Sequence, residues 1–189
     1  MMPKPTWAAK SSSKDPDDVI ENCIEAIAAG ESEGLARLYG ETHGAVYGFA
    51  LSIVKNCHDA EDVVQDVYVK IWESAAGYKA RGKPLAWMFT ITRNAAYMCI
   101  RRQSRQMPSD PSDWEEVLAE EPDITPEDRL VLTGVLSLLG EVDREIVILH
   151  ATAGMKHKEI AELMGMKLST VLSRYNRALS TLRQALEEE

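Results

Sequence analysis

Apolar side chains recur along this chain at three- and four-residue spacing, and no segment of useful length alternates apolar with polar positions. That periodicity predicts helices throughout. The first helix is expected from Asp15-Pro16, with Asp as N-cap, Pro in the first turn and a stop at Gly30. Its stripe is Val19, Ile20, Cys23, Ile24 and Ile27. Leu35, Leu38, Tyr39, Val46, Phe49, Ala50, Ile53 and Val54 mark a second. Gly40, Gly44 and Gly48 weaken it by about 1 kcal/mol each relative to Ala, which predicts a break near Gly40 or close helix packing. A third is expected to be capped by Asp59, with Asp62 three residues on as a capping-box variant. Val63, Val64, Val67, Tyr68, Ile71 and Trp72 form its core side, and Asp62, Gln65, Asp66, Val69 and Glu73 its outer side. After a loop from Gly77 to Lys83, Pro84 opens a fourth helix. It buries Leu85, Met88 or Phe89, Thr92, Ala96, Cys99 and Ile100. Trp87, Asn94, Tyr97 and Arg101 fall near the opposite side, flanked by Arg93 and Arg102, which leaves Trp87 and Tyr97 open between core and surface.

The pattern then lapses. Residues 104–124 hold three of the chain's eight prolines and read as a flexible linker, with room for a turn or two of helix presenting Trp114, Val117 and Leu118. Thr125-Pro126-Glu127-Asp128 restarts helix, expected to run to Leu139, followed by another from Asp143 to about Ala153, closed by Gly154. The segment HKEIAELMGMKLSTVLSRYNRALSTLRQAL reads as a helix-turn-helix. Ile160 and Leu163 are the buried side of its first helix, Ala161 is small at the crossing, Gly165 makes the turn, and Ser169 or Thr170 caps the second helix. Val171, Tyr175, Ala178, Leu179 and Leu182 are the buried stripe of that second helix; Ser173, Arg174, Asn176, Arg177 and Ser180 face out. The predicted architecture is all-α, with two small helical domains at 15–103 and 125–189, an acidic linker at 104–124, and a disordered polar tail at 1–14.

Charge changes the picture. The net charge of -9 argues at first against nucleic acid, but the average conceals segregation. From Lys79 to Ser109 there are seven cations and no acid, and from Asp110 to Asp128 nine acids and no cation. From Lys156 to Arg183 six cations face two acids. Local patches, not the sum, bind a polyanion. No apolar run reaches the ~20 residues of a membrane span, and the N-terminus lacks the apolar core of a secretory signal, so no membrane insertion and a cytoplasmic location are expected. Cys23, Cys57 and Cys99 form no CxxC and read as buried thiols, with a redox switch as the less favoured alternative.

Two blocks together carry a family resemblance. DAEDVVQDVYVKIW with WMFTITRNAA and RR, then LLGEVDREIVILHATAGMKHKEIAELMGMKLSTVLSRYNRALSTLRQAL, resemble an extracytoplasmic-function (ECF) sigma factor, a small two-domain bacterial sigma factor, over about Leu35 to Leu186 excepting the linker. The resemblance implies that Asp62, Gln65, Asp66 and Val69 dock on the clamp helices of the largest subunit of core RNA polymerase, with the flap as a further contact. It implies that Tyr78, Arg81, Lys83, Trp87, Arg93, Asn94, Tyr97, Arg101 and Arg102 read and open the minus-ten element. Aromatic stacking and cations suit that task, since stacking contributes about 1–3 kcal/mol per base. Lys167, Ser169, Thr170, Ser173, Arg174 and Arg177 match the segment that binds the minus-thirty-five element. The linker resembles the stretch threading the polymerase cleft, where its acids would mimic RNA; a solvated spacer explains most of them equally well. An anti-sigma factor is an expected partner beside core polymerase and promoter DNA. GEVDRE replaces the commoner Leu-Pro approach to its helix, and Leu172 stands where many relatives have a polar residue.

Two other classes compete. A free-standing helix-turn-helix regulator would pair to read two half-sites, but it leaves the basic stretch Lys79–Arg105 unexplained. An enzyme would need a motif that is missing: the four histidines stand singly, and there is no HExxH, P-loop, GxGxxG or GxSxG. The acidic group Asp59, Glu61, Asp62 and Asp66 fits a capped, partner-facing helix better than a metal site. No metal or other cofactor is expected.

Overall fold

The computed structural model describes residues 16–79, 82–103 and 136–187. Among these, every regular element is helical. Four helices form the N-terminal half: α1 (Pro16–Ala28), α2 (Ser32–Val54), α3 (Cys57–Ser74) and α4 (Pro84–Gln103), with a 3-10 turn at Ala75–Gly77. Three form the C-terminal half: α5 (Glu141–Ala151), α6 (His157–Met164) and α7 (Leu168–Glu187). The expected linker, the helix start at Thr125 and the cap at Asp15 lie outside the described residues.

The N-terminal bundle closes around Ile24, Leu38, Phe49, Ile71, Met88 and Phe89, all fully buried. Phe49 and Phe89 meet edge to face with ring centroids 5.5 Å apart, an arrangement that aligns the positive ring edge with the partner's negative face. A polar contact crosses this core from Thr42 to Tyr68, hydroxyl to hydroxyl at 2.8 Å, while Thr42 donates to the Leu38 carbonyl at 2.6 Å when its proton lies that way. Burial raises the Tyr68 phenol well above its ordinary range.

Several local expectations change. α2 runs unbroken through Gly40 and Gly48, and a Cβ at either would meet nothing within 4 Å. The close approach is at Gly34, where a Cβ would come within 2.8 Å of the Ala26 Cβ, so α1 and α2 cross there. α2 ends on Lys55 in the left-handed conformation, φ 59°. Asn56 follows at once as N-cap of α3, accepting the Asp59 N–H at 3.0 Å. Asp59 is therefore inside the first turn, not the cap. Trp72 was expected in the core but stays 40% exposed, because it sits one residue past Ile71, about 100° round the helix from that buried position.

In the C-terminal half, Gly140 is the N-cap of α5 and its carbonyl accepts the Arg144 N–H at 2.9 Å, so GEVDRE starts a helix without the Leu-Pro approach. The buried Arg144 side chain donates to the carbonyls of Leu136 (3.0 Å) and Leu139 (2.8 Å), closing the preceding turn. Burial holds its guanidinium below the usual range. α6 opens with the Lys156 N–H on the Glu159 carboxylate at 2.9 Å and stops at Gly165, φ 65°. α7 begins at Leu168, so Ser169 and Thr170 lie in its first turn and do not cap it. Ile160, Ala161 and Val171 are buried as expected, and so is Ala178, which packs with Leu139 and with Val147 of α5; Leu163, Tyr175, Leu179 and Leu182 are partly buried. His150, His157 and Tyr175 form a ring cluster beneath, His150 to His157 at 4.2 Å.

The halves are packed together. Ile146, Leu149, Met155 and Ile160 belong to the same buried cluster as Phe49 and Phe89, with α5 against α2 and α6 against α4.

Candidate nucleic-acid interface

Helical spacing puts Asp62, Gln65, Asp66 and Val69 on one face of α3, and all four are exposed. Val69 is 57% exposed, and the displaced Trp72 extends the same stripe by three residues. None of the ion pairs among the described residues engages Asp62 or Asp66. The result is an acidic surface with an apolar end, a composition suited to a protein partner. Trp72 was missed because the 3.6-residue stripe was extended one position too far.

The next helix presents a different chemistry. The chain leaves α3 through the 3-10 turn, and Tyr78 at its end lies 4.9 Å from the Trp87 ring, centroid to centroid. Its hydroxyl reaches Glu21 of α1 at 3.4 Å. Lys79, Lys83, Trp87 and Thr90 frame a cleft of about 390 Å³ beside this aromatic pair. Further along α4, the Arg93 guanidinium lies 4.9 Å over the Tyr97 ring. Asn94, Arg101 and Arg102 are exposed, as is Met98. Trp87 and Tyr97 are both half-buried, each with one side on protein and one on the seam between the two halves. Arg81 lies outside the described residues.

That seam is acidic on its other side. Glu145, 1% exposed on α5, accepts from Arg93 Nε at 3.0 Å and from the Tyr97 hydroxyl at 2.7 Å. Burial, then the Glu145 carboxylate, pushes the Tyr97 phenol up to about 12. Lys83 Nζ meets Glu162 of α6 at 2.6 Å, and Glu162 with Leu163 forms the far wall of the cleft. Lys55 Nζ meets Glu141 at 3.0 Å and holds its carboxyl below the usual range. Glu145 was not singled out from sequence: it closes the charged run EVDRE at the head of the apolar segment IVIL, and nothing local marks it as the carboxylate that is buried.

On α7, Ser169, Thr170, Ser173 and Arg177 are exposed together with Lys167 just before it. Arg174 turns instead to Asp143 of α5, Nη1 to Oδ1 at 2.8 Å. Leu168 and Leu172 stand exposed on the first two turns. The surface offers hydroxyls and cations at a helix N-terminal end, the chemistry that meets phosphates and base edges in a major groove.

Residues 38–106 match the family model described as Sigma-70 region 2, and residues 129–182 the model described as Sigma-70, region 4. The chain is 28% identical over 178 residues to the ECF RNA polymerase sigma factor SigK of Mycobacterium ulcerans, covering 90% of this chain and 95% of that one. It is 27% identical over 180 residues to SigK of Mycolicibacterium vanbaalenii, covering 88% and 89%. Its fold is similar to that of CnrH in complex with the cytosolic domain of CnrY, with a TM-score of 0.65 and 22% identity over 90% of this chain and 99% of that one. It is also similar to the sigma factor RpoE in complex with the anti-sigma factor NepR from Bartonella quintana, with a TM-score of 0.63 and 26% identity over 76% and 90%.

Proposed function

The chain belongs to the ECF sigma factors, and from that premise we propose that it directs core RNA polymerase to promoters carrying minus-thirty-five and minus-ten elements and helps to open them. The family is one of transcription regulators, not enzymes. The observation that carries the finer reading is the adjacency of two unlike surfaces on consecutive helices. α3 offers acids and exposed apolar groups, and α4 offers cations and aromatic rings.

In this reading core polymerase docks through its clamp helices on Asp62, Gln65, Asp66 and Val69, and Trp72 joins them. The separated strand runs along α4. An unstacked base enters the cleft beside Tyr78 and Trp87, and cations of the stretch from Lys79 to Arg102 hold the backbone. Unstacking costs a few kcal/mol per step, and stacking on aromatic side chains returns about 1–3 kcal/mol per base. Capture therefore stabilises melted DNA without nucleotide hydrolysis. Lys167, Ser169, Thr170, Ser173 and Arg177 engage the upstream element through α7, and Arg174 joins them on release from Asp143.

An anti-sigma factor is the proposed regulator, supported by the RpoE structure, which is a complex with one. No helix among the described residues is long and apolar enough to cross a membrane, which is consistent with work on cytoplasmic polymerase. The deciding experiment is run-off transcription with core polymerase over a genomic fragment library. Discrete transcripts sharing two upstream motifs are expected. No promoter-specific transcript from any fragment would overturn the reading.

A further inference from the structure

We propose that Glu145 is an internal latch: it occupies on Arg93 and Tyr97 the place of a promoter-strand phosphate and keeps the α4 face shut in the unbound chain. The inference rests on the reading of Arg93 and Tyr97 as strand contacts and adds a competitor for them.

Among the described residues three ion pairs join the two halves, and all have the same polarity. Lys55, Lys83 and Arg93 are the cations, on the N-terminal side; Glu141, Glu162 and Glu145 are the acids, on the C-terminal side. Toward the basic face, the C-terminal half thus behaves as an acidic ligand. Glu145 is the central member. Its side chain is 2% exposed, whereas the other two pairs are 38–69% exposed and screened by water. Among the described residues both of its polar partners come from α4. A carboxylate so buried is tolerated only while those partners stay, and because it holds the Arg93 Nε–H and neutralises the guanidinium, a phosphate that takes that donor must displace it.

The ion pair does not itself oppose opening, which is set by the apolar cluster the halves share. When the halves separate, Glu145 and Arg93 regain water together, so little net energy is lost with the pair itself. Any ligand that binds only the separated form draws the equilibrium open by its differential affinity. Strand binding and opening are then coupled, and the apparent affinity of the closed chain for a strand is reduced by the fraction that is open.

The test uses the full chain without polymerase. Glu145→Gln keeps the size of the side chain and a hydrogen bond to Tyr97 but removes the anion. Glu141→Lys, at an exposed position, reverses one peripheral charge and guards against misfolding of the first variant. Far-ultraviolet circular dichroism checks that both remain helical. Two quantities are read: the radius of gyration by small-angle X-ray scattering, and the anisotropy-measured affinity for a short fluorescein-labelled single-stranded DNA of mixed sequence. The expected result for Glu145→Gln is a larger radius and strand binding tighter by about tenfold, the scale of one charge-assisted hydrogen bond. Glu141→Lys moves both in the same direction by less. An unchanged radius in both variants would overturn the latch, even with tighter binding, because the gain would then reflect only the lost negative charge. A larger radius without tighter strand binding would leave the closure standing and overturn the competition, removing Arg93 and Tyr97 from the strand face.

Discussion

Trp72→Ala tests the docking surface at the point where structure and sequence pattern diverge. Trp72 is 40% exposed on the stripe that carries Asp66 and Val69. A Trp side chain presents about 150–250 Å² for burial, so a partner seated on the stripe can cover about 60–100 Å² of it. At about 25 cal/mol per Å² that contributes about 1.5–2.5 kcal/mol, or roughly 10- to 70-fold in affinity for core polymerase. The buried remainder of the ring contributes to the fold, about 2–4 kcal/mol as an upper bound, against roughly 5–15 kcal/mol for a domain. The variant is therefore expected to fold with a lower Tm, and the assay temperature must lie below its transition. Titration of labelled chain with core polymerase gives the affinity, and thermal unfolding gives the stability loss separately. Asp66→Arg is the control that decouples them. Its site is fully on the surface, so its stability change stays within about 0.5 kcal/mol while its binding falls by an amount that shrinks at high salt. If folded Trp72→Ala kept affinity within about twofold of the wild type, and Asp66→Arg did too, the α3 face would not be where polymerase docks.

Other substitutions probe the remaining links. Asn94→Ala, on the exposed side of α4, is expected to leave polymerase binding unchanged and to reduce open-complex formation by about tenfold, the scale of one side-chain contact to a base; permanganate reactivity of unpaired thymines reads this, and unchanged reactivity would remove Asn94 from the reader. Asn56→Ala removes the bond that caps α3 and should cost about 1 kcal/mol, roughly 2–4 °C in Tm for a chain of this size, measurable by calorimetry without loss of helix content. Acid should weaken the C-terminal half. Burial, then His150, holds the His157 imidazole below its ordinary value of about 6.5. The unfolded chain therefore takes up a proton near that pH which the folded chain refuses, so stability is intact above about 6.5 and falls as pH drops through the interval down to the folded value. Unfolding of His157→Gln should depend less on pH across that window, and an equal slope in both proteins would remove His157 as the cause.

Helix count and faces in the N-terminal half were legible because periodicity and capping agree there: Pro84 starts α4, and Leu85, Met88, Phe89, Thr92, Ala96 and Cys99 are buried as the spacing requires. Boundaries were less legible. Asp59 and Asn56 are both good caps, and the choice fell to Asn56 because Lys55 takes the left-handed conformation and ends α2 one residue earlier. The glycines of α2 pointed to a break, yet twenty-three residues of helix persist because Leu38, Val46, Phe49 and Ala50 are fully buried on its core side, and that packing outweighs propensity. Trp87 and Tyr97 were undecidable from spacing because each lies at a boundary between a core and a seam, and the seam is made by residues more than forty positions away. No local pattern encodes that pairing.

The net charge of -9 is misleading for the same reason that the closed arrangement is stable. Charge in this chain is separated along the sequence and then reunited in space. The basic stretch that suits a nucleic-acid strand is met by carboxylates from the other half, at Glu145 and Glu162. Self-complementarity of this kind suppresses non-specific attachment to DNA, because a polyanion must displace an anion already seated on Arg93 and regain no more than the difference. It also assigns polymerase a role beyond carrying the chain to DNA. The α3 stripe faces solvent in the closed form, so docking there does not require opening. On the latch reading, a partner that engages both surfaces at a separation the closed chain cannot span draws the halves apart and raises the fraction of chains whose DNA face is open.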